Sequence, residues 1–81
     1  MGLLKAYHIK EESDVEILCE RLGYDSVEDP REIKVGNVLI AFFGDDAIND
    51  YGIISEEQFE AAFIDIREIN NGFMAIDFNI K

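Results

Sequence analysis

Asp and Glu are the most abundant ionisable residues in this sequence, and some of them recur at a regular spacing. Glu12, Glu16 and Glu20 are four residues apart, so in a helix they form a single row. Successive members of such a row are about 6 Å apart, which is close to the distance between successive phosphates on a nucleic-acid strand. Like charges at this spacing weaken an isolated helix slightly, so the row favours a role in binding over a role in stability.

The middle of the chain is acidic and lacks cations. The whole sequence has 18 acidic and 7 basic residues, a formal net charge of -11, yet no Lys or Arg occurs from Val35 to Ile66. Helix N-termini and solubility account for part of this excess. The remainder predicts a surface that attracts a basic protein and repels DNA or RNA. The acidic residues of this stretch that we expect in the contact are Asp45, Asp46, Asp50, Glu56, Glu57 and Glu60.

Side chains suited to catalysis are scarce outside the carboxylates. The single histidine, His8, could serve as a general base or a metal ligand, but no second His or Cys lies near it in sequence. The single cysteine, Cys19, could be a nucleophile, but it falls on an apolar stripe with Leu18 and Leu22. We interpret both as structural residues, and we predict no cofactor.

The acidic segment 44–52 has the composition of a calcium-binding EF-hand loop but not its register. With Gly52 at the sixth loop position, the first position, which should supply a carboxylate, holds Ala47. A looser magnesium site at Asp45 and Asp46, directly after an apolar strand, is the alternative. It would make the chain a metal-assisted enzyme.

Two capping boxes predict where the helices begin. Ser13 with Glu16 predicts a helix over 14–22, and Ser55 begins a second box that predicts a helix over 56–70. In the alternative for the second region, the helix is shorter and residues from Ile64 onward form a strand. In that strand Ile66 would lie opposite Ile76. We favour the longer helix, because five of its apolar residues fit one helical face.

The remaining apolar segments have the character of strands, and a Gly36-Asn37 turn predicts a hairpin. The predicted strands cover residues 2–9, 33–35, 38–43 and 74–80. The resulting order is β-α-β-β-α-β in one α+β domain over residues 1–81. This predicts a two-layer ferredoxin-like architecture, in which a four-stranded antiparallel sheet carries both helices on one face.

A sheet with both helices on one side leaves its other side open. The strand over 38–43 is apolar on both faces, so one set of its side chains would be exposed. An exposed apolar patch commonly marks a protein interface. We therefore predict that Leu39, Phe43 and Phe73 form an apolar surface for a homodimer or a partner.

The sequence also predicts a compartment. One cysteine excludes an intrachain disulfide, and the longest apolar run, residues 38–43, is too short to span a membrane. No signal-peptide pattern occurs at the N-terminus. We expect a cytoplasmic protein without a membrane partner.

Three functional hypotheses follow. The first is a small acidic protein that inhibits or neutralises a basic partner by covering its charged surface, as nucleic-acid mimics, phage counter-defence proteins and immunity proteins do. The second is a structural or oligomerisation module that uses the apolar sheet face, with the acidic residues serving only solubility. The third is the metal-assisted enzyme. We favour the first, and so predict that the chain is not an enzyme.

Overall fold

The computed structural model describes residues 3–23, 32–45, 47–70 and 72–79. They form a mixed α+β fold with five strands and two helices. The elements in chain order are β1 (Leu3–His8), α1 (Glu12–Leu22), β2 (Asn37–Gly44), β3 (Ala47–Ser55), α2 (Glu56–Ala62), β4 (Phe63–Asn70) and β5 (Phe73–Phe78). The strands make one antiparallel sheet in the order β3-β2-β1-β5-β4. The predicted four-stranded ferredoxin-like topology is therefore not confirmed.

The two helices pack on opposite faces of the sheet. Neighbouring residues of a strand point to opposite faces, and the structure divides them between two core clusters. Tyr7 and Leu39 belong to the cluster that contains Leu18 of α1. Ala6 and Val38, the residues just before them, belong to the cluster that contains Phe59 of α2. We call these two sides the α1 face and the α2 face. The prediction of both helices on one face is wrong.

The predicted hairpin of residues 33–35 with 38–43 does not form, and a different hairpin reverses the chain nine residues later. β2 pairs with β3 from Asn37↔Ser55 to Gly44↔Ala47, so the chain reverses around Asp45, whose φ is 52°. The predicted first arm, residues 33–35, is not a strand, and its Ile33 is instead buried in the core on the α1 face. Gly and Asp residues within β3 hid its strand character, because they are poor strand formers.

The second helix ends at Ala62, and the chain continues as β4. The alternative of a shorter helix followed by a strand is thus correct, and the predicted helix over 56–70 is wrong. The register differs by one residue from the one proposed, since Ile76 lies opposite Asp65 rather than Ile66. This pairing places Phe63 opposite Phe78, with ring centroids 5.5 Å apart.

Both outer strand pairs of the sheet are irregular. In β2·β3 the register shifts after Phe42, and in β4·β5 it shifts after Asp65. No shift interrupts the inner pairs, β1·β2 and β1·β5, within their described registers. Of the helices in the described ranges, none is long and apolar enough to cross a membrane.

The helix starts differ in what caps them. At α2, Gln58 N–H donates to Ser55 Oγ over 3.2 Å and Ser55 N–H donates to Gln58 Oε1 over 3.0 Å, as the sequence predicts. At α1 the cap is Glu11 with Asp14, two residues earlier than the predicted pair of Ser13 and Glu16. The Asp14 carboxylate accepts from the backbone N–H groups of Lys10 and Glu11.

This difference gives a matched pair of variants. We expect Ser55→Ala to lower the free energy of unfolding by about 1 kcal/mol, because it leaves the Gln58 N–H without its acceptor. Ser13→Ala is the control, since the Ser13 hydroxyl makes only a 3.5 Å contact with Glu11. Urea unfolding followed by circular dichroism measures both. Equal losses in the two variants would contradict the assignment of the caps.

Candidate protein-binding site

Carboxylates from three elements lie on the α2 face. Asp50 of β3 is the cross-strand partner of Phe42, so the two side chains share this face. Asp65 of β4 reaches His8, which also lies there. The described carboxylates of this face and of α2 are Asp50, Glu56, Glu57, Glu60 and Asp65.

Basic side chains lie elsewhere. Lys5 is buried on the α1 face, with Nζ 5.3 Å from the ring centroid of Phe43. Arg21 of α1 lies over the ring of Phe73, at 5.6 Å from its centroid. Lys10 lies between β1 and α1, and Lys34 precedes β2. Among the Lys and Arg side chains that the structure describes, none stands on α2 or at a strand position of the α2 face. The charged groups that the structure describes at these positions therefore give this part of the face a negative field.

His8 connects three elements beneath this surface. Its Nδ1 lies 3.5 Å from Glu56 Oε1, and its Nε2 lies 3.0 Å from Asp65 Oδ2. Its ring packs edge-to-face on Phe59, with centroids 4.8 Å apart. Because carboxylates occupy both nitrogens, His8 holds β1, α2 and β4 together.

The same face also exposes aromatic surface. Phe42, beside Asp50, is 46% exposed, and Phe78 is 63% exposed. Leu4 is the cross-strand partner of Phe42 and is half-buried. Phe63 connects this region to the core through its stacked contact with the buried Phe59 of α2, at 5.6 Å between centroids. Apolar anchors beside complementary charge are typical of protein interfaces.

The predicted acidic residues do not all form one surface. Glu12, Glu16 and Glu20 are exposed on α1, so their row lies on the opposite side of the sheet from Asp50 and α2. Asp45 is exposed at the β2–β3 turn. Asp46 lies outside the described residues. The structure therefore presents two separate acidic surfaces, one on each helix layer.

The prediction of an exposed apolar surface at Leu39, Phe43 and Phe73 is wrong. Leu39 and Phe73 are fully buried beneath α1, and Phe43 is half-buried with its ring centroid 5.0 Å from that of Phe73. Sequence alternation shows which residues share a face, but it does not show which face a helix covers. The exposed set is the other one, which contains Phe42.

The other residues considered for chemistry have structural surroundings. Cys19 is buried in the α1-face core, as the sequence predicts. Within the described ranges, no group of three or more His, Cys, Asp and Glu side chains could hold a metal ion. Comparison with protein-family models, curated proteins and solved structures finds no match to this chain.

Proposed function

We propose that this chain is a non-catalytic binding protein whose α2 face covers a basic surface of a partner protein. One observation carries the proposal: five carboxylates stand on α2 or at strand positions of the α2 face, and no described Lys or Arg stands at such a position. A negative patch of this kind accelerates association with a positive one and disfavours nucleic acid. Inhibition or neutralisation of the partner would follow from simple occlusion.

The row of Glu12, Glu16 and Glu20 on α1 is the weaker candidate for binding the basic partner. Its three glutamates share their helix with Arg21, and Lys10 lies just before the helix. The oligomerisation hypothesis loses its stated basis, since Leu39 and Phe73 are buried within one chain. His8, with a carboxylate beside each ring nitrogen, has a structural role in this proposal.

Two matched variants test the proposal. The first carries Asp50→Asn, Glu57→Gln and Glu60→Gln on the α2 face. The second carries Glu12→Gln, Glu16→Gln and Glu20→Gln on α1. Each removes three negative charges from exposed positions, so the two have the same net charge and differ only in the surface that they neutralise.

We expect the α2-face variant to lose the partner that the wild-type chain captures from its native host, and the α1 variant to keep it. With the purified partner, the wild-type association rate should fall about tenfold or more between low and physiological salt, because complementary charge steers the encounter. An association rate that is independent of salt would refute the proposal. Loss of the partner only in the α1 variant would move the site to α1.

A further inference from the structure

We propose that the apolar patch of Phe42, Leu4 and Phe78 on the α2 face is the docking site for a cationic amphipathic helix of the partner protein. The inference rests on the proposed function and adds the chemistry of the segment that is recognised. Its apolar stripe would cover the patch, and its flanking Lys or Arg side chains would face the carboxylates of the α2 face.

The width of the patch matches the diameter of a helix. Its members stand on β2, β1 and β5, which are adjacent in the sheet. Three neighbouring strands span about 10 Å between the outer two, and a helix with its side chains is about 10–12 Å across. Phe42 and Phe78 are exposed large apolar residues, with Leu4 half-buried between their strands. Two exposed rings therefore flank the strand that carries Leu4.

The patch is recognised through side chains and not through strand pairing. β2 lies between β3 and β1, and β1 lies between β2 and β5, so neither has a free backbone edge. An added strand would pair at β3 or β4, at the edges of the sheet. A segment that lies across the sheet face and presents a row of apolar side chains is the matching shape.

Charge distinguishes the partner from a second copy of this chain. A two-fold symmetric contact through the α2 face would bring its carboxylates against the same carboxylates. Asp50 is the cross-strand partner of Phe42, so this repulsion would act next to the patch. A helix with Lys or Arg next to its apolar stripe converts the same charges into attraction.

Two labelled peptides of equal length and charge supply the test. One is an amphipathic helix of Leu and Lys, and the other replaces each Leu with Gln. Fluorescence anisotropy at physiological salt compares their affinities for the wild-type chain, Phe42→Ser, Phe78→Ser and the control Ile17→Ser. Ile17 is 41% exposed on α1, on the opposite side of the sheet, so it is a matched exposed apolar residue. Thermal unfolding verifies that each variant is folded.

We expect the Leu/Lys helix to bind about tenfold or more tightly than the Gln/Lys peptide, and Phe42→Ser and Phe78→Ser each to remove most of that advantage. Ile17→Ser should retain it. Equal binding of the two peptides would overturn the docking patch while leaving the charge-based function intact. If neither peptide bound, the result would count against both the docking patch and the charge-based function. A dimer in sedimentation that Phe42→Ser dissolves would show that a second copy covers the patch, and would also overturn the inference.

Discussion

Phe73→Ala is expected to lower the free energy of unfolding by about 3–5 kcal/mol, the range for removing a buried aromatic ring. Phe73 is fully buried in β5, and its ring makes edge-to-face contacts with Tyr7 and Phe43, each at 5.0 Å between centroids. Truncation leaves a cavity where α1 meets the sheet. The rings of Tyr7 and Phe43 also lose their contact with Phe73. Urea unfolding monitored by circular dichroism measures the change.

The matched control for this substitution is Phe42→Ala. Phe42 is the same residue type in an inner strand, but it is 46% exposed on the opposite face. We expect a loss of about 1 kcal/mol or less, because its side chain is already in contact with water. If the two variants lost equal stability, the assignment of the α1 face as the covered one would be wrong.

Asp14→Ala is expected to lower the free energy of unfolding by about 2–3 kcal/mol. One carboxylate oxygen accepts from the backbone N–H groups of Lys10 and Glu11 over 2.9 and 3.0 Å, and the other accepts from the Tyr7 hydroxyl over 3.0 Å. The substitution removes the cap of α1 and its connection to β1 together. Glu16→Ala is the control, since Glu16 is exposed on the same helix and takes no part in the cap.

The loss at Asp14 has a defined dependence on pH. Hydrogen bonding, chiefly from the Lys10 N–H, lowers the pKa of Asp14 below its ordinary value of 3.8. A carboxyl with a lowered folded-state pKa contributes its full stability above the ordinary value and loses it as the pH falls through the lowered one. The difference between wild type and Asp14→Ala should therefore be constant near neutral pH and shrink below about pH 4. A difference that grows on acidification would contradict this assignment.

Local patterns in the sequence predicted the elements that local chemistry decides. The Ser55–Gln58 box begins α2, and the apolar stripe of Leu18 and Cys19 faces the core. The first helix was also predicted, although the residues that cap it are Glu11 and Asp14 and not the predicted Ser13 and Glu16.

Structural features that depend on contacts between distant residues were not predictable in this way. β3 forms because β2, apolar on both faces, requires a partner, and that pairing overrides the poor strand formers Asp50 and Gly52. β4 forms because Phe63 and Asp65 pair with β5, although its apolar residues also fit one helical face. Tertiary contacts likewise determine the face on which each helix packs. They determined that Phe42, and not Leu39, lies at the surface of the candidate site.

The irregular outer strand pairs have a consequence for the behaviour of the chain at high concentration. A sheet edge with unbroken, flat pairing is a template on which further molecules can stack into fibrils. Here the pairing of each edge strand is interrupted by a register shift, after Phe42 in one outer pair and after Asp65 in the other. Bulges of this kind increase local twist and interrupt the ladder. A chain that is 48% hydrophobic thereby gains protection against amyloid-like growth at both ends of its sheet.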